Sequence, residues 1–230
     1  MEPGEAKPAS ARVTVRRRAE RAVYERAAID AILDEGLTCH LGFVAEGQPY
    51  VIPTIYARDG KDLLIHGSAA GRTLRAMRGG IPVCVTVTLL DGLVLARSAY
   101  HHSMNYRSVV ILGIATEIVE REAKLAAMRM LVEHVVPGRW NDVRGPSEQE
   151  LRATMVLSVP TAEASAKVRV GPPVDDEEDY ALEAWAGVVP VTLEAHPPVA
   201  DPRLRAGIAA PAYARFYRRG LDGNGKPAVK

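Results

Sequence analysis

Cysteine is scarce in this 230-residue chain: Cys39 and Cys84 are the only two. Two thiols make neither a disulfide framework nor a thiolate metal site, and no metal site is expected. Both stand in apolar, strand-like runs, where a free cysteine behaves as a small hydrophobe. An excess of one charge is also missing, because 29 Lys and Arg oppose 28 Asp and Glu for a formal net charge of +1. That balance removes the electrostatic case for a nucleic-acid partner. No apolar run approaches the roughly 18–20 residues of a membrane span, so no membrane partner is expected. Residues 1–11 have no apolar core, so no signal peptide is expected and the expected compartment is the cytoplasm. GxSxG, HExxH, Walker-type and CxxC motifs do not occur, which takes away the signatures of hydrolases and kinases.

What is present is a strand-rich pattern. Residues 20–35 repeat apolar side chains at helical spacing, with Gly36 placed as a cap. The period then shortens to two: residues 38–44 and 49–56 read as a hairpin around Glu46-Gly47-Gln48. A third strand ends at His66, and a helix is expected from Thr73. Residues 82–89 and 93–97 read as strands joined by an Asp91-Gly92 hairpin. A polar loop covers 98–105, and a long strand, 106–119, carries a bulge signal at Gly113. An amphipathic helix over 120–136 stops at Pro137-Gly138, and two more strands cover 155–159 and 163–170. No sustained βαβ alternation exists, so the expected class is α+β, a mostly antiparallel barrel with helices outside.

Two constellations carry chemistry. In His66-Gly67-Ser68-Ala69-Ala70-Gly71-Arg72, a strand runs through a small-residue turn into a helix N-terminus, an arrangement of amides and positive charge that suits phosphate. The alternative is an ordinary strand-to-helix turn. The second is His101-His102-Ser103-Met104-Asn105-Tyr106-Arg107-Ser108, read as a polar lip facing a ligand or a partner subunit, or as a solvated loop. His40 reads as a packed strand histidine or a ligand. Glu163, Ser165, Lys167 and Arg169 share one strand face, so Lys167 is a second anion-binding charge if that face meets a cleft. Trp140 and Trp185 read as buried anchors or as stacking partners for a flat ring. A cradle without an evident catalytic set implies that a cofactor carries the hard chemistry.

The order of these elements, with Leu64-Ile65-His66-Gly67-Ser68, Gly71-Arg72 and the segment Ala99 through Val109, resembles the pyridoxamine 5'-phosphate oxidase-like flavin-nucleotide-binding proteins, nearest the 5-nitroimidazole-resistance (nitroreductase-like) branch. The resemblance spans about residues 20–191. It implies an FMN-binding split β-barrel that works as a homodimer. It also implies that Pro53 and Thr54 run along the isoalloxazine, that His66, Gly67, Ser68, Gly71 and Arg72 take the phosphate, and that Tyr106, Arg107 and Ser108 come from the dimer interface. One departure is visible: Val51-Ile52-Pro53-Thr54 is not basic, and the tail lacks the family's Arg/Trp segment, so oxidation of the vitamin substrate is not implied.

The resulting expectation is a disordered arm over 1–19, an FMN-binding domain over 20–191, and a Pro-rich, basic extension over 192–230. The expected activity is two-electron transfer from FMN to a small-molecule acceptor such as a nitroaromatic or quinone, with His40, His101 or His102 as weak proton-donor candidates. The alternative is a non-catalytic or haem-binding split barrel, with His40, His66, His101, His102 and His134 as possible ligands. Deazaflavin would need a longer basic groove than the chain offers.

Overall fold

The computed structural model describes residues 6–71 and 79–218, and its contacts divide into two compact units. The span expected as one domain, 20–191, is shared between them. The strand pairings among these residues run antiparallel.

One unit holds the described parts of Leu37–Cys84, Gly113–Thr161 and Glu194–Lys230. In it β2 (Thr38–Ala45) and β3 (Gln48–Asp59) form the expected hairpin, from Thr38↔Ile55 to Ala45↔Gln48. Its turn puts Glu46 and Gly47 at φ 52° and 77°, the left-handed pair of a type I′ turn, which a glycine enters without Cβ strain. Alternation turns Cys39, Leu41 and Phe43 inward and leaves Thr38, His40 and Val44 outside. β4 (Asp62–Ser68) lies between β3 and β7 (Thr154–Pro160). Leu63, Leu64 and Ile65 are all buried, as a continuous apolar run requires when both faces of a strand are covered. A helix here labelled α2 (Arg121–Val135) covers one face, where Leu64 packs with Ala57, Val156, Ala127 and Leu131. The Glu120 side chain caps α2 by accepting from the Glu122 and Ala123 amides, and Glu133 accepts from the Gly138 and Trp140 amides just past its end. The next helix, α3 (Glu148–Ala153), starts with a Ser147–Glu150 capping box.

The other unit holds the described parts of Met1–Gly36, Val85–Leu112 and Ala162–Leu193. α1 is Arg26–Glu35, shorter than the 20–35 periodicity suggests, because Ala22–Val23 pair instead as β1 with Lys167 and Ala166 of β8 (Ala164–Arg169). Ile29, Ile32 and Leu33 form its buried face.

Other expectations are corrected. Asp91-Gly92 is no hairpin: β5 runs unbroken from Ile81 to Leu95, and Gly92 pairs with Pro190 of β9 (Gly187–Pro190). A Cβ on Gly92 would sit 3.0 Å from Val188 Cγ1 and 3.1 Å from the Val189 carbonyl, so the glycine serves close strand approach rather than a turn. β6 starts at Ser103, inside the expected loop, and continues to Glu117. Gly113 within it lets Pro160 and Val159 come to 3.1 Å of where its Cβ would be. In the expected disordered arm, residues 11–13 form a 3-10 turn with Val13 buried, held by an Arg12–Glu163 ion pair and by Lys167 donating to the Arg17 carbonyl. The tail carries α4 (Ala212–Arg215): the Tyr213 hydroxyl donates to Asp142 (2.6 Å), and that of Tyr217 donates to the Val135 carbonyl (2.8 Å). No helix among the described residues is long and apolar enough to cross a membrane.

Candidate functional site

The end of β4 is built by strand pairing. Gly67 and Ser68 face Met155 and Thr154 of β7, so the strand continues two residues past His66 before it turns. The turn closes tightly: the Gly71 amide donates to the Ser68 carbonyl (2.9 Å) and the Ala70 amide to Ser68 Oγ (3.3 Å). The Ala69 amide donates to the Ala153 carbonyl (2.8 Å). A Cβ at Gly71 would lie 3.0 Å from the Ser68 carbonyl oxygen, so glycine permits this closure. The amides of 69–71 are therefore engaged within the turn and with Ala153, and the helix N-terminus expected to complete an anion cradle lies outside the described residues. Ser68 Oγ accepts within the turn and keeps its own O–H to donate.

A pocket of about 170 Å³ opens here, lined by Leu41, Ile52, Thr54, Ile65, His66, Gly67, Ser68 and Gly71. Leu41 and Ile52 are cross-strand partners, as are Cys39 and Thr54, so this face of the hairpin supplies one wall. Small-molecule sites span roughly 300–1,000 Å³, so this pocket holds part of a cofactor-sized ligand. Three apolar walls and three polar side chains suit an aromatic ring system bearing a few polar groups.

His66 is the distinctive group. Its ring is half-buried, and its Nδ1 is sealed from solvent with no hydrogen-bond partner among the described residues. Burial pushes its pKa down, so near neutral pH the ring is the neutral imidazole. Leaving a buried ring nitrogen unpaired costs about 1–3 kcal/mol. The site thus has an unmet polar demand beside apolar walls, and the residues fit an inserted cofactor.

The structure brings Thr54, His66, Gly67, Ser68 and Gly71 together. Pro53 and His40 are register partners and stand exposed on the opposite face of the hairpin. Arg72 lies outside the described residues, as does the helix expected from Thr73.

Tyr106, Arg107, Ser108 and Lys167 belong to the other unit. Arg107 is committed to a clamp: Nε and Nη2 donate to Asp91 (3.0 and 2.7 Å), and Nη1 and Nη2 donate to Glu35 (2.5 and 2.8 Å). These carboxylates push its pKa further up. Ser108 Oγ donates to the Lys167 carbonyl (3.4 Å), and Tyr106 pairs with Arg169. Arg169 is buried and holds Asn105 and the Gly171 and Pro172 carbonyls, so it joins no solvated strand face. His101 Nδ1 meets Ser98 Oγ at 2.8 Å, and His102 Nδ1 meets the Ser98 carbonyl at 2.9 Å. Ligand atoms of Asp175 and Asp179 come within 4.8 Å of that of His101, a grouping hidden by sequence distance. Asp175 is nonetheless held by the Arg97 amide and guanidinium. Trp185 is exposed, and Trp140 sits in a 3-10 turn.

Sequence reasoning missed Leu41, Ile52 and Ile65 as pocket walls. The hairpin alternation carried that signal, because residues of the same parity as Thr54 share its face.

A family profile described as pyridoxamine 5'-phosphate oxidase matches residues 25–168. The flavocytochrome Anf3 from Azotobacter vinelandii is 42% identical, with 93% of this chain and 100% of that one covered and a TM-score of 0.87. The FAD and heme binding protein from Mycobacterium smegmatis is 35% identical over 85% of this chain and 96% of that one, with a TM-score of 0.81. A protein from Bacteroides thetaiotaomicron assigned to 5-nitroimidazole antibiotic resistance is 24% identical over 64% of this chain and 86% of that one (TM-score 0.54), a likeness of fold. No curated protein matches the chain.

Proposed function

The chain belongs to the pyridoxamine 5'-phosphate oxidase family, with its antiparallel split β-barrel fold, and from that premise we propose that it is a redox protein that binds a flavin nucleotide together with a haem. The observation that carries this reading is the likeness to two proteins at 42% and 35% identity, one called a flavocytochrome and the other an FAD and heme binding protein. The flavin part was expected from the sequence as FMN, and the haem part was its alternative.

The pocket at the end of β4 supports the reading. Leu41, Ile52 and Ile65 would exclude water from a ring edge, and the Thr54 and Ser68 hydroxyls would orient its polar rim. A bound flavin supplies hydride or single-electron transfer, and a nitroaromatic or quinone is the class of acceptor we propose. We further propose a homodimer, supported by Val44 and Val51, 60% and 67% exposed on the outer face of the β2–β3 hairpin. A cytoplasmic setting fits two cysteines that are both free.

The test is the absorption spectrum of the purified full-length protein, with chromatography of the flavin released by denaturation. A twin-peaked yellow spectrum plus a sharp band at the blue-violet edge is the expected result, and the chromatogram separates FMN from FAD. Protein that is colourless, and remains so after incubation with FMN, FAD and hemin, overturns the proposal.

A further inference from the structure

We propose that His66 is a permanently neutral hydrogen-bond donor to the flavin, giving its Nε2–H to a carbonyl oxygen on the polar edge of the ring, an inference that rests on the flavin half of the proposed function. Nδ1 is closed off from solvent, whereas the residue as a whole is half-buried and lines the pocket. When the Nδ1 edge of a half-buried imidazole is sealed, the edge left to meet the pocket is the one that carries Nε2.

The tautomer follows from the same burial. A neutral imidazole carries its one proton on either nitrogen. On Nδ1 that proton makes a sealed N–H with no acceptor among the described residues, beside an Nε2 that can only accept. On Nε2 it leaves a sealed lone pair and turns the donor to the pocket. Buried N–H groups without an acceptor are the rarer defect, which favours the second form. Charging the ring adds the sealed Nδ1 proton as well, and burial opposes that charge. No Asp, Glu, Lys or Arg appears among the described lining residues, and the register partner Val156 is apolar, so no described neighbour there favours imidazolium. The hydroxyls of the pocket differ. Thr54 gives its O–H to the Ile55 carbonyl (3.3 Å), and the Ser68 hydroxyl both donates and accepts. His66 is therefore the donor of fixed sense. Reduction loads negative charge onto the flavin's carbonyl edge, and a donor to a charged acceptor is the stronger bond, so His66 favours the reduced form.

The test has two parts. Long-range nitrogen–proton NMR correlation of the full-length protein near neutral pH reads the His66 tautomer, and flavin titration with spectroelectrochemistry compares wild type with H66L, H66Q and H66N. The amide nitrogen of Gln stands near the place of Nε2, and that of Asn near the place of Nδ1. Wild type should show the neutral Nε2–H form. H66L should bind oxidised flavin about three- to tenfold more weakly and have a lower midpoint potential. H66Q should restore both properties, and H66N neither. A His66 ring protonated on Nδ1 overturns the assignment, as does H66L with the affinity and potential of wild type. H66Q and H66N that lose flavin alike reveal a packing role and overturn it too. Wild type that takes up neither FMN nor FAD overturns the flavin reading itself, and the donor role with it.

Discussion

Arg107→Ala tests whether this arginine is a structural clamp or a cofactor ligand. Its guanidinium spans Glu35 of α1 and Asp91 of β5, with four N···O contacts of 2.5 to 3.0 Å. The side chains are 31%, 41% and 29% exposed, so solvent screens the pairs and they fall between surface bridges of about 0–1 kcal/mol and buried ones of about 3–5 kcal/mol. Removal also leaves two carboxylates without the cation they share. We expect a loss of about 2 kcal/mol, which for a protein of this size lowers the melting temperature by about 4–8 °C. R107K should recover less than half of that, because a single ammonium cannot present a fork to each of two carboxylates. The assay is thermal unfolding followed by circular dichroism, with flavin retention measured on the same samples below the transition. The expected outcome is a lower melting point with flavin retained. A melting point within about 1 °C of wild type, combined with loss of flavin, would refute the clamp and return Arg107 to the cofactor site.

Cys39 is fully buried and its thiol pKa is pushed up to about 12 by burial, so native C84S should give no reaction with a thiol reagent until denaturant is added; rapid native labelling would contradict that burial. Glu150 is held down to about 2, first by Arg144 and then by the Ser147 amide, from an ordinary value near 4.5. A depressed carboxylate stabilises the fold above its ordinary range, and that contribution disappears as the pH falls toward about 2. An NMR titration should find this low midpoint and its rise in R144A, and a midpoint near 4.5 in wild type would count against the bridge. G92V should push Val188 and the Val189 carbonyl away, at a cost of about 1–3 kcal/mol, and loosen β9. Limited proteolysis should then cut near residues 185–193 faster than in wild type, and an unchanged rate would show that the close approach is tolerant.

Much of the fold was legible because its signals are local. The β2–β3 hairpin follows from alternation around Glu46-Gly47, and the Leu63-Leu64-Ile65 run announces a strand covered on both faces. The stop of α2 is written in Pro137-Gly138. Local signals misled where a distant strand competed. Asp91-Gly92 has hairpin chemistry, yet β9, about a hundred residues later, pairs straight across it. Ala22-Val23 continue a helical period, yet β8 claims them.

The candidate site divides along the same line. His66, Gly67, Ser68 and Gly71 were identifiable as a group because they are neighbours in sequence, at the end of an apolar strand. Only the tertiary structure decided what they do locally. It spent the turn's amides on Ser68 and Ala153, set Leu41, Ile52 and Thr54 across from His66, and left the His66 Nδ1 without a partner among the described residues. It likewise faced Arg107 with Glu35 and Asp91, 72 and 16 residues away. By itself the sequence determined the family, the strand-rich class and the stretch that carries the site, because periodicity and short motifs are properties of adjacent residues. Which donors stay free and which charges are already paired depends on residues far apart in the chain, and folding alone brings those together.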